Sequence, residues 1–158
     1  MTQTIQKKTK LSIIFIALAG QIAWMVENQY FNVFMYNKIA PVPIYISIMV
    51  AASAIVATFT SILMGSYSDV KGRRKPLLLF GFIFWTITTA IYPFSALVPI
   101  VGVAIATAII FDCIMTFFGS TAYDATFNAY ITDITTLENR GKVLSLVEIM
   151  TLISILIT

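Results

Sequence analysis

Four of the seven acidic side chains in this 158-residue chain, Glu27, Asp112, Asp124 and Glu148, stand in long apolar tracts that contain no Lys or Arg. A charged side chain at the centre of a bilayer costs roughly 2.5–3.5 kcal/mol on insertion scales, so such groups face a protein interior or a wet cavity. Without internal basic partners, these carboxylates read as sites for a cation or a proton. Histidine, the usual near-neutral general base and metal ligand, is absent. The single cysteine, Cys113, excludes an internal disulfide and a cysteine metal cluster. No metal site and no covalent catalytic step is expected. The chain reads as a non-enzyme, and no cofactor is expected beyond the cation or proton that these carboxylates would hold.

The richest polar set surrounds Glu27. At about 100° per residue, Gln21, Asn28 and Asn32 fall within about 40° of one another, Trp24 flanks that stripe, and Glu27 lies about 120° round from Gln21. Amides for hydroxyls and an indole for an apolar sugar face suit a hydroxylated solute. The competing reading is that these residues only join neighbouring helices by hydrogen bonds; the ionisable Glu27 favours a cavity-lining face. Further along the chain, Asp124 and Asn128 share a helix face with Thr121 just above them. Asp112 lies about 18 Å from Asp124 along an ideal helix, which makes it the better midplane carboxylate. Asp124 is expected to close the basic end by pairing with Arg73 or Arg74. Glu148, about one and a half turns into the last tract, reads equally as a functional group or as a side chain within reach of the interface.

The elements that must position these groups follow from composition. The chain is 59% hydrophobic and 11% charged, with a mean hydropathy of +0.91. Soluble domains run near 45–50% apolar and about 25% charged. An ordinary soluble enzyme, a disordered tail and a disulfide-rich secreted module are therefore excluded, and the partner of most of this surface is the lipid bilayer. A spanning helix needs about 20 apolar residues. Apolar tracts occupy about 11–36, 44–67, 77–131 and 143–158. The third is long enough for two spans and is interrupted by Pro93, Ser95 and Pro99. The expected fold is thus an all-α polytopic membrane bundle: spans at about 11–36, 44–67, 77–97 and 100–131, and a partial fifth at 143–158.

Nine of the ten basic residues flank these spans on one side: Lys7, Lys8 and Lys10, then Lys71, Arg73, Arg74 and Lys75, then Arg140 and Lys142. Lys38 alone falls in a loop of the opposite parity. By the positive-inside rule the amino terminus and the 2–3 and 4–5 loops face the cytoplasm, placing the chain in the cytoplasmic (inner) membrane. A cleavable signal peptide ending near Ala17-Leu18-Ala19 competes for the first tract, but the apolar run continues past Gly20 to Met35, longer than an ordinary h-region. The basic residues do not line a groove, so no nucleic-acid partner is expected. Small residues along the second span, Ala51 to Ala54, Ala57, Ser61 and Gly65, suit close helix packing.

Between the second and third spans runs Gly65-Ser66-Tyr67-Ser68-Asp69-Val70-Lys71-Gly72-Arg73-Arg74-Lys75-Pro76. Gly72 permits a backbone angle closed to other residues and Pro76 can open the next helix. The spacing resembles the major facilitator superfamily signature Gly-x-x-x-Asp-(Arg/Lys)-x-Gly-(Arg/Lys)-(Arg/Lys), in the same loop of the same topology. Gly65, Asp69, Gly72, Arg73 and Arg74 match, whereas Val70 stands where the family prefers a basic residue. The stretch Asp133 to Gly141 looks like the family's acidic-then-Arg-Gly 4–5 loop. The Gly-Arg-Arg-Lys-Pro ending and the Asp-bearing fourth helix are loosely similar to the glycoside–pentoside–hexuronide cation symporter branch.

That resemblance implies alternating-access transport by about twelve spans in two similar bundles, with the solute held near the midplane between them. It implies that Gly65, Asp69, Gly72, Arg73 and Arg74 belong to a cytoplasmic gate, and that a small-molecule solute such as a sugar moves with sodium or protons. Gln21, Trp24, Glu27, Asn28, Asn32, Asp112, Asp124 and Asn128 are the candidate solute or cation contacts. The chain then corresponds to an incomplete amino-terminal half whose partner is the missing carboxy-terminal bundle of the same transporter. Two alternatives remain at this stage, a small four-span dimeric efflux protein using Glu27 as a shared carboxylate, and a structural membrane subunit without transport.

Overall fold

The computed structural model describes residues 6–158, which fold into five helical rods with no strand among them. We number them α1 (Lys7–Ile39), α2 (Pro43–Lys71), α3 (Arg74–Leu97), α4 (Val101–Ile134) and α5 (Leu137–Ile157). The first four are long and apolar enough to cross a membrane. Each rod runs a few residues beyond the apolar tract that announced it, because the flanking polar residues supply the terminal turns.

The helix ends have local causes. Pro43 occupies the first turn of α2, where its missing N–H costs nothing, and Gly72 ends that helix at φ 60° and ψ 13°. Pro76 sits in the first turn of α3. The far end of α3 tightens into a 3₁₀ turn over Tyr92–Leu97. Val98, held extended at φ −73° and ψ 121° ahead of Pro99, then breaks the chain from α4. A capping box opens α5: the Thr136 side chain serves a backbone amide at Asn139, while Asn139 Oδ1 accepts from the Thr136 N–H at 2.8 Å.

Three further stretches depart from the α-helical repeat. Val26–Phe31 and Met35–Ile39 in α1, and Ser120–Phe127 in α4, are wound as π-helix. Thr126 Oγ1 reaches back five residues to the Thr121 carbonyl at 2.6 Å within the last of these. A π turn inserts extra residues into the helical phase, so the ideal angles expected for Gln21, Asn28 and Asn32 do not hold across Val26–Phe31.

The fourth rod is the axis of the bundle. Its packed faces run along α2 and α3, whereas α1 lies chiefly along α5 and meets α4 where Gly20 abuts the Tyr123 ring. A side chain at position 20 would occupy the ring's space. Gly81 of α3 plays the same part against α4, where an added Cβ would come within 2.7 Å of Ala122 Cβ. The buried core gathers Trp85, Tyr92, Phe127, Met49, Met115 and Ile131 around this axis. Outward, Phe15, Phe59, Leu63, Leu79 and Leu152 are exposed, as lipid-facing residues of a membrane bundle are. Because the rods alternate in direction, Lys7, Lys8, Lys10, Lys71, Arg73, Arg74, Lys75, Arg140 and Lys142 collect at one end, and Lys38 stands at the other.

Candidate functional site

The π turn of α1 carries Glu27 inward to 7% exposure. Its Oε1 accepts a hydrogen bond from Thr116 Oγ1 of α4 at 2.9 Å, while Oε2 is buried with no hydrogen-bond partner among the described residues. Asp112, at 3% exposure, lies one turn from Thr116 on the same helix, about 6 Å along its axis. Ser53 of α2 faces Asp112, and the two carboxylates lie within electrostatic reach of each other. Three helices thus converge on two acidic groups and two hydroxyls.

This grouping has definite chemistry. The only ion pairs among the described residues are at Arg74, far from these carboxylates along the chain and at the basic end. Two carboxylates in an apolar interior repel each other, and a cation bound between them removes that repulsion. All four donors are hard oxygens, which suit a proton or an alkali cation and not a soft transition metal. Among the described residues, no three His, Cys, Asp or Glu side chains gather as a metal-holding cluster.

Aromatic residues close over the pair from the end opposite the basic loops. Phe31 stacks on Tyr92 with centroids 3.8 Å apart and planes 5° apart, and Phe34 tilts against the same ring at 5.7 Å. The Tyr92 hydroxyl donates to Met49 Sδ at 3.4 Å. Trp24 leans on Trp85 of α3 at 5.0 Å, so its indole is half-buried against protein. Sequence reasoning missed Thr116, Ser53, Phe31 and Tyr92. Thr116 had one signal available, a hydroxyl four residues from Asp112 on the same helix face.

The other expected contacts distribute differently. Asn28 Nδ2 donates to the Trp24 carbonyl at 2.8 Å and Asn32 Nδ2 to the Asn28 carbonyl at 2.7 Å, both along α1 itself. Asn28 is exposed, Asn32 is half-buried, and neither joins Glu27. Gln21 Nε2 donates instead to the Tyr123 hydroxyl of α4 at 3.1 Å. Asp124 is half-buried beside that tyrosine, with Glu148 of α5 also in its electrostatic range. Asn128 Nδ2 donates to the Asp124 carbonyl at 3.0 Å. The structure therefore holds a buried group, Glu27 with Asp112, and a second, more open polar group of Gln21, Tyr123, Asp124 and Asn128.

At the basic end the expected pairing of Asp124 is corrected. Arg74 binds Asp69 at 2.6 Å and Asp133 at 2.8 Å, and its third contact is Ser68 Oγ at 2.5 Å. Asp124 is too deep in α4 to compete with Asp133, which lies nine residues nearer the loop. Arg74 thereby ties the end of α2 to the end of α4, with 12% of its own side chain exposed. Gly65 lies in α2 one turn before Asp69 with open space where a side chain would stand, Gly72 makes the turn, and Arg73 stands exposed at the start of α3.

The family model described as Major Facilitator Superfamily matches residues 11–158. No curated protein and no solved structure matches the chain.

Proposed function

This chain belongs to the major facilitator superfamily, a family of membrane transporters, and from that premise we propose that it forms the first part of a cation-coupled solute transporter. One observation carries the reading. Glu27 is a buried carboxylate with one oxygen unpartnered among the described residues, joined through Thr116 to the helix that bears Asp112, and no described Lys or Arg forms an ion pair with either carboxylate. A proton or sodium ion bound there neutralises the pair and lets α1, α2 and α4 close together. Released, the same pair favours their separation. Rocking of this bundle against a second one then links cation binding to solute access.

The solute in this reading is a hydroxylated small molecule such as a sugar, held by the open polar group along α1 and α4. The loose likeness to the glycoside–pentoside–hexuronide cation symporters and the side chains of Gln21, Asp124 and Asn128 in that open group support that class. The Asp69–Arg74–Asp133 clamp is the gate at the basic end, which the charge distribution assigns to the cytoplasm. Opening that end requires the clamp to loosen. The test is uptake by the full-length protein in proteoliposomes under imposed sodium and proton gradients, across a panel of sugars. Glu27→Gln or Asp112→Asn should abolish gradient-driven accumulation, whereas unchanged accumulation by both variants would refute the assignment.

A further inference from the structure

At the basic end Arg74 engages both nearby carboxylates, Asp69 and Asp133. Lys71 and Arg73, on either side of Gly72, are exposed and have no acidic partner among the described residues. Lys71 is nevertheless placed, since its Nζ lies 4.8 Å from the centroid of the Tyr67 ring. Between these cations opens a groove of about 1000 Å³. Its floor is apolar: Leu63 and Met64 of α2, Leu77 and Phe80 of α3, and Phe117 of α4. Among the described residues Leu63 and Phe80 are 65% and 50% exposed, so this floor faces away from the rest of these five helices.

We propose that this groove binds one anionic phospholipid, with its phosphate on Lys71 and Arg73 and an acyl chain along Leu63, Leu77 and Phe80. Charge and shape select that occupant. A guanidinium and an ammonium at one lip match a phosphate, while the cationic amine of a zwitterionic headgroup would be repelled by both. A soluble anion would leave the apolar floor unused. The groove also lies at the end of the bundle where membrane-surface charge acts, and basic residues there gain from anionic lipid. A lipid seated across α2, α3 and α4 would brace the turn that Arg74 clamps, making the stability of that turn depend on membrane composition. The proposal is independent of which cation or solute the protein carries.

The test uses the full-length protein in nanodiscs of phosphatidylcholine with a minority of photoactivatable phosphatidylglycerol, followed by mapping of cross-linked peptides. Cross-links should concentrate on Leu63–Tyr67 and Leu77–Phe80. Lys71→Gln with Arg73→Gln should lower phosphatidylglycerol retention about 25-fold, about fivefold for each charge. Lys8→Gln with Lys142→Gln removes the same charge elsewhere on this end and should leave retention nearly unchanged. Equal losses in the two double variants would reduce the effect to general surface charge and overturn the proposal. So would cross-links spread evenly around the bundle, or a groove shielded by another part of the protein. Full displacement of the lipid by inorganic phosphate would also overturn it, by showing a free-anion site.

Discussion

Replacing Glu27 by Gln keeps the side-chain volume and one carbonyl oxygen for Thr116, but removes the charge. In the ionised, cation-free form that charge is buried at 7% exposure with one hydrogen bond of 2.9 Å. Its burial costs roughly 2.5–3.5 kcal/mol, and a hydrogen bond to a charged group returns roughly 1.5–3 kcal/mol. The cation-free stability should therefore shift by no more than about 1–2 kcal/mol on substitution. The cation-dependent part should differ far more. A ligand at one hundred times its dissociation constant adds about 2.7 kcal/mol, roughly 5–10 °C in Tm for a unit of this size. Thermal unfolding of the full-length protein in detergent, titrated with sodium at fixed pH and with protons at fixed sodium, reads this directly. The wild type should show such a shift with one of the two cations, and Glu27→Gln with neither. A wild-type shift retained in Glu27→Gln would refute the reasoning. If that variant unfolds early, Thr116→Val supplies the second reading: the carboxylate stays but loses its donor, and the cation concentration that gives the half-maximal shift should move about tenfold.

Other consequences follow from the packing and the charge pattern. Arg74→Ala removes contacts to Asp69, Asp133 and Ser68; because Asp69 and Asp133 are 66% and 49% exposed, the loss should be only about 1–2 kcal/mol in a denaturant titration, with Arg74→Lys recovering part. Gly20→Leu drives a side chain into the Tyr123 ring and should destabilise by about 1–3 kcal/mol, and Tyr123→Ala in the same chain should relieve part of it in a double-mutant cycle. Cysteines placed at Lys38 and at Lys142 should react with an impermeant maleimide from opposite faces of right-side-out vesicles, Lys38 from outside. Labelling of both from one face would overturn the assigned orientation.

Much of the architecture was legible because it rests on local chemistry. Gly72 adopts the positive φ that its place in a basic turn calls for, and Pro99 straightens Val98 and divides the long third tract. Buried Glu27 and Asp112 are anomalies of type, visible as carboxylates in apolar runs. What could not be read is tertiary or out of register. The π turns in α1 and α4 leave no periodic mark in the sequence, yet they rotate the residues that follow, so the amide stripe expected from ideal helical angles is broken. Thr116 meets Glu27 across 89 residues of chain, and Arg74 meets Asp133 across 59. Neither pairing follows from spacing, which is why spacing alone offers Asp124 the partner that Asp133 takes.

Under the proposed function, a cation and a solute move through one conformational cycle that Glu27 and Asp112 control. Simultaneous measurement of cation and solute flux in proteoliposomes of the full-length protein, with the gradient of each reversed in turn, tests that most directly. The prediction is a fixed ratio of the two fluxes, with each gradient able to drive the other, and loss of that coupling in Glu27→Gln. Solute flux that proceeds at the same rate and to the same extent whatever the cation gradient would contradict it.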